Sequence, residues 1–109
     1  MSPPFKHVVP RGIAWRDIEA ASDHHETYAN LETARAFLVA VEGAFDHIAR
    51  HPASGSPRYA HALDLPDLRS WPLKRFPYLV FYLERDDHID IWRVLHQERD
   101  VPVRMGEGP

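Results

Sequence analysis

The sequence contains no cysteine. That excludes a disulfide framework, a thiolate metal site and a thiol nucleophile. It also lacks a long apolar run: the longest, Tyr78 to Leu83, falls far short of the roughly 20 residues a membrane-spanning helix needs. The opening stretch M-S-P-P-F-K-H has no apolar segment of the secretory kind, so a cytoplasmic protein without a membrane partner is expected. Glycine is scarce, with five in 109 residues, and none builds a phosphate-cradling loop. There is no G-x-S-x-G and no pair of carboxylates at suggestive spacing, so a serine or two-carboxylate hydrolase has no support. Lysine occurs only at Lys6 and Lys74, and the net charge is −3 with eight histidines neutral. A dedicated nucleic-acid binder would carry a basic face.

What is present fits one folded domain over 1–109, with a core from about 5 to 101 and a loosely ordered tail. Hydrophobic content is 44% and charged content 27%, both ordinary for a globular chain. The charge is uneven. Between Asp17 and Asp46 there are seven acids and one base, Arg35, whereas Arg69 to Arg99 holds six bases and five acids. An anion-binding surface would lie in the second half.

Phe5 to Val9 can form a short strand, which Pro10 ends because proline cannot donate to a ladder. From Ile13 to about Tyr28 the pattern is helical, with Ala14, Ile18, Ala21, His25 and Tyr28 on one face. Asn30 is a good N-cap for a second helix, Leu31 to His51. Its stripe runs through Leu31, Ala34, Leu38, Val41, Phe45 and Ile48, widened by Phe37 and Ala44, and Pro52 forbids continuation. His51 to Leu68 is a proline-rich connector carrying Arg58 and Tyr59. Loops of this length in small domains are more often functional than idle.

Arg69 to Asp100 predicts a meander of three short strands. In its last run, strict alternation puts Ile89, Ile91, Arg93 and Leu95 on one face and His88, Asp90, Trp92, Val94 and His96 on the other. Arg93 is a cation inside an apolar set, which points to a tie with a carboxylate or carbonyls. From Val101 on, two prolines and two glycines predict a loose tail. Strand, helical hairpin, loop and meander together predict an α+β fold, with one mainly antiparallel sheet packed on the hairpin.

Two sets of side chains could carry chemistry. His47 and His51 have a metal-compatible spacing, but H-I-A-R-H lacks the glutamate of H-E-x-x-H, and the helix dipole explains both histidines. No metal or cofactor is expected. The cations Arg58, Arg69, Lys74, Arg75, Arg93, His96 and Arg99 could clamp phosphates, with His96 as acid or base in RNA cleavage. The plainer reading outweighs that one: solvated or partner-pairing charges on strand edges, where Lys and Arg also prevent aggregation.

H-P-x-x-G-x-P-R-Y (His51–Tyr59), L-K-R-F-P-Y-L-V-F-Y (Leu73–Tyr82) and R-V-L-H-Q-E-R-D (Arg93–Asp100), in this order after A-x-x-D-I and A-R-A-F, resemble the RelE/ParE toxin superfamily, closest to its ParE-like branch. The resemblance covers roughly Val8 to Val101 and implies a plasmid-stabilisation toxin of a type II toxin–antitoxin module. It implies a hetero-oligomer with a cognate antitoxin of ParD, RelB or Phd type. ParE-like members are associated with poisoning DNA gyrase by protein contact, and that is the function it implies. RelE-like members cut mRNA on the ribosome; on that alternative Arg93, His96, Arg58, Lys74 and Arg75 would form the site. A non-toxic, autoregulatory member is a third reading. Target or anion contacts would come from Arg69, Lys74, Arg75, Arg93, His96 and Arg99. Antitoxin contacts would come from Trp15, Phe37, Tyr59, Trp71, Tyr82 and Trp92, and the acidic helices call for a partner segment with arginines or lysines.

Overall fold

The computed structural model describes residues 6–101. It runs β1 (His7–Pro10), α1 (Gly12–Tyr28), α2 (Leu31–Arg50), a 3-10 turn (Pro52–Ser54), β2 (Leu68–Pro72), β3 (Tyr78–Glu84) and β4 (His88–His96). The strands form one sheet in the order β1-β4-β3-β2. The meander is antiparallel, and β1 joins it parallel to β4, pairing His7 with His88 and Pro10 with Ile91. The α+β architecture is the expected one. Pro10 is the last residue of the strand, and an edge position permits it there. Phe5, the expected start of β1, lies outside the described residues.

Asn30 caps α2 as its sequence predicts, its side chain accepting from the Thr33 N–H at 2.7 Å. The buried stripe of α2 is rotated from the expected one. Ala34, Phe37, Val41, Ala44 and Ile48 face the sheet, while Leu31 and Leu38 are 51% and 39% exposed. Phe37 and Ala44 are therefore its centre, not its margin. On α1, Ala14, Ile18 and Ala21 are buried, but Tyr28 is 78% exposed. It sits on the last residue of the helix, against the ring of His24 rather than the core.

The expected alternation in β4 fails at a bulge. Tyr82 pairs with Ile91 but Phe81 pairs with Arg93, so Trp92 is an extra residue. Before it, Ile89 and Ile91 pack under the helices; beyond it, Val94 does, and Leu95 turns to the opposite face. The shift of phase is what a one-residue insertion does to a period of two.

That opposite face has its own apolar cluster. Phe81, Leu83 and Leu95 are covered by Ala60, Leu68 and Val101, with Tyr59, Leu63, Leu65 and Trp92 at the margin. The connector therefore closes one side of the sheet as well as running along its β2 edge. It is pinned there by a two-residue bridge in which Ser56 and Ser70 exchange backbone hydrogen bonds at 2.9 Å. Val101, at the boundary between the expected core and the tail, is buried beneath it; the tail beyond lies outside the described residues.

Candidate functional site

The bulge explains Arg93. Leaving the regular ladder, its side chain reaches α1 and donates to Asp17 twice, at 2.7 and 2.8 Å. Asp17 also accepts the Val94 N–H at 3.1 Å. One carboxylate thus satisfies a fork of guanidinium donors and a backbone donor at the irregular position. Both side chains are largely buried. Arg93 is tied to a carboxylate, as its position in an apolar set predicts, and its donors are directed at Asp17.

His96 is also occupied. Its Nδ1 accepts backbone N–H bonds from Glu98 at 3.2 Å and Arg99 at 3.1 Å. A backbone amide can only donate, so Nδ1 carries no proton and the neutral ring holds its hydrogen on Nε2. Burial, then the nearby Arg99 charge, pushes its pKa below the ordinary histidine value. His96 caps the turn that follows β4, and its own N–H donates to Asp100.

The remaining cations are spread out. Arg69 donates to the Gly55 carbonyl at 2.7 Å. Arg99 donates to the Tyr78 hydroxyl at 3.2 Å. The Arg58 guanidinium lies 5.3 Å from the Tyr59 ring centre, in a cleft of about 340 Å³ shared with Ser56, Ser70 and Glu98. Lys74 and Arg75 occupy the turn between β2 and β3, where Arg75 takes a left-handed φ of 72°. Arg58, Arg69, Arg99 and the Lys74–Arg75 pair thus line four different clefts. None of these four clefts gathers the set.

His47 and His51 are accounted for by local structure. Ser54 donates its hydroxyl hydrogen to the His51 carbonyl, so His47 Nε2, 2.9 Å away, is the donor to Ser54. The His47 ring stacks on Trp71 with centres 3.8 Å apart.

The aromatic candidates divide by burial. Trp15 is 49% exposed, and Tyr59, Trp71 and Trp92 are half-buried. Phe37 and Tyr82, expected to touch a partner, have no exposed surface. Phe37 fills the core between hairpin and sheet, and the Tyr82 hydroxyl donates to the Pro52 carbonyl at 2.6 Å while accepting the Gly55 N–H. Both are scaffold residues.

Two features had no individual signal in the sequence. Asp90 accepts from Arg11 at 2.9 and 2.8 Å and from Arg85 at 3.1 Å, binding the start of α1 to β4. The Arg11 hydrogen bonds, ahead of the opposing effect of burial, hold the Asp90 carboxyl below the usual carboxylate range. The second is an apolar groove of about 450 Å³ along α2, floored by Ala36, Ala40 and Gly43, walled by Trp71 and rimmed by Lys74 and Arg75. Small residues recurring at helical spacing beside the exposed Val39 were the available clue.

The family described as "ParE toxin of type II toxin-antitoxin system, parDE" matches residues 10–101. Among solved structures, a chain of the "Chromosomal ParDE TA system from P. aeruginosa" superimposes with a TM-score of 0.72 and 18% identity, covering 86% of this chain and 98% of that one. At that identity the likeness speaks for the fold. No curated protein sequence matches the chain. No helix among the described residues is long and apolar enough to cross a membrane. The family match runs from the end of β1 to the buried Val101 and so takes in both helices, the connector and the meander. The chain belongs to the ParE toxin family of type II toxin–antitoxin systems.

Proposed function

We propose that the chain is the toxin of its module, that a cognate antitoxin neutralises it, and that it inhibits DNA gyrase by surface recognition rather than by chemistry of its own. The observation that carries this reading is the dispersal of the cations. In-line cleavage of RNA needs phosphate-binding groups and an acid or base converging on one reacting centre. Here Arg93 is spent on Asp17, His96 on its own turn, and the rest line separate clefts. The net charge of −3 argues in the same direction.

Expression without the antitoxin tests it. Chromosome breaks and an SOS response are the expected outcome. Rapid loss of translation with cut mRNA would replace this reading with a ribosome-dependent nuclease. A folded product without effect on growth would point to a regulatory member. His96→Ala should leave toxicity intact; its loss, with the melting temperature unchanged, would count against a turn-capping role.

A further inference from the structure

We propose that the cleft beside Arg58 grips an acidic loop of the target protein, taking an aspartate or glutamate carboxylate on the Arg58 guanidinium and the Ser70 hydroxyl. The proposal rests on the gyrase reading above and adds the surface that makes the contact.

The cleft lies on the loop-covered face of the sheet, opposite the helical hairpin. Tyr59 and Leu79 line it, and both pack against the cluster on that face. Ser70 is paired with Phe81, so its side chain shares this face. Only 5% of Ser70 is exposed, and its hydroxyl forms no hydrogen bond among the described residues. A partner that closed the cleft without an acceptor would leave this hydroxyl dry and unpaired, which disfavours binding.

The other groups are donors as well. The Arg58 guanidinium is exposed and forms no ion pair among the described residues. Held 5.3 Å from the Tyr59 ring centre, it gives up less freedom when a partner arrives. The Ser56 hydroxyl oxygen already accepts the Arg58 backbone N–H at 3.2 Å, so its own hydrogen is free to donate. Donors of this kind on one cleft call for a carboxylate.

Glu98 sets the class of occupant. Its carboxylate lines the same cleft and pairs with no cation among the described residues. It suits the backbone N–H groups of a peptide and repels the phosphates of a nucleic acid. Arg58 is the one lysine or arginine among the described residues lining the cleft, too little charge to hold a phosphate backbone. At about 340 Å³ the cleft is near the lower bound of roughly 300 Å³ for ligand sites. It admits the tip of a loop and not a helix about 10 Å across. Arginine and tyrosine, adjacent here, are residue types that dominate binding energy at protein interfaces.

The test is calorimetric titration of purified gyrase with the full chain, unaltered and as Arg58→Glu, Ser70→Ala and Arg35→Glu. Arg58→Glu should weaken binding by about ten-fold or more, and Ser70→Ala by about three-fold or more, with melting temperatures unchanged. Arg35→Glu makes the same change of charge at an exposed position of α2 and should leave affinity within about two-fold. If Ser70→Ala lowers the melting temperature, Arg58→Glu decides. Affinity within about two-fold of wild type for Arg58→Glu would overturn the proposal while leaving the gyrase reading in place. An equal loss in Arg35→Glu would trace the effect to net charge and overturn it. Failure of the unaltered chain to bind gyrase would overturn both readings. Loss of ribosome-dependent mRNA cutting in Arg58→Glu, with gyrase affinity unchanged, would assign the cleft to RNA and overturn it as well.

Discussion

Asp17 and Arg93 form an ion pair whose side chains are 12% and 15% exposed, at a site where the backbone is irregular. Arg93→Met strands the carboxylate and should cost about 3 kcal/mol, read from urea unfolding. Adding Asp17→Asn should recover part of that loss, because an amide oxygen still accepts the Val94 N–H without a buried charge. A double variant no more stable than Arg93→Met would show that the charge is not the cost. His25 poses the converse problem. Its Nε2 is buried without a partner, and the ring packs against Phe37, Phe76 and Tyr78. Burial, then the charges of His24, Arg99 and His96, lowers its pKa in the folded state. Its contribution to stability is full above the unfolded value of about 6.5 and is lost as pH falls through the folded value. Between pH 7.5 and 5 the urea midpoint should fall, and less steeply in His25→Phe. Part of the slope should remain, because His47 and His96 are shifted in the same direction. Equal slopes in both proteins would exclude His25 as a contributor.

At the scale of elements, the helices were legible because their signals are local. Asn30 before an apolar period, and Pro52 after it, need no knowledge of the rest of the chain. The phase of β4 was not legible, because the bulge at Trp92 is set by pairing with β3 and leaves the sequence run unbroken. Of the candidate site, the tie on Arg93 could be anticipated but not Asp17 as its partner, which lies 76 positions away. The groove was missed because alanine and glycine carry meaning only once a neighbour's position is known. The connector's prolines say nothing about which apolar side chains it buries, so the face it covers was not legible. Its anchor to β3 can be tested. Gly55 has an ordinary extended backbone, but a Cβ there would lie 2.9 Å from two ring carbons of Tyr82. Gly55→Ala should therefore cost about 1–3 kcal/mol by overpacking. Tyr82→Phe, which leaves the Gly55 N–H and one acceptor unpaired, should cost about 1–3 kcal/mol. If both variants melt with the wild type, the connector is not held at this point.

At the scale of the molecule, the sheet carries a helical hairpin on one face and a loop on the other, and β1 is its only parallel strand among the described residues. Early residues repeatedly depend on late ones. Lys6 is held by Glu84 and the Arg85 carbonyl, Arg11 by Asp90, and Asp17 by Arg93. A ribosome must therefore deliver the end of β3 before Lys6 finds its partners, and β4 as far as Arg93 before Arg11 and Asp17 find theirs. Synthesis is directional, so a message cut short or stalled before codon 84 releases a chain with an unpaired β1 and an exposed hairpin. A fragment ending at residue 83 should show no cooperative thermal transition and no toxicity; a sharp melt would refute this. On the toxin reading proposed above, the order of the strands acts as proofreading: a chain cut short of β4 is inert and open to proteases.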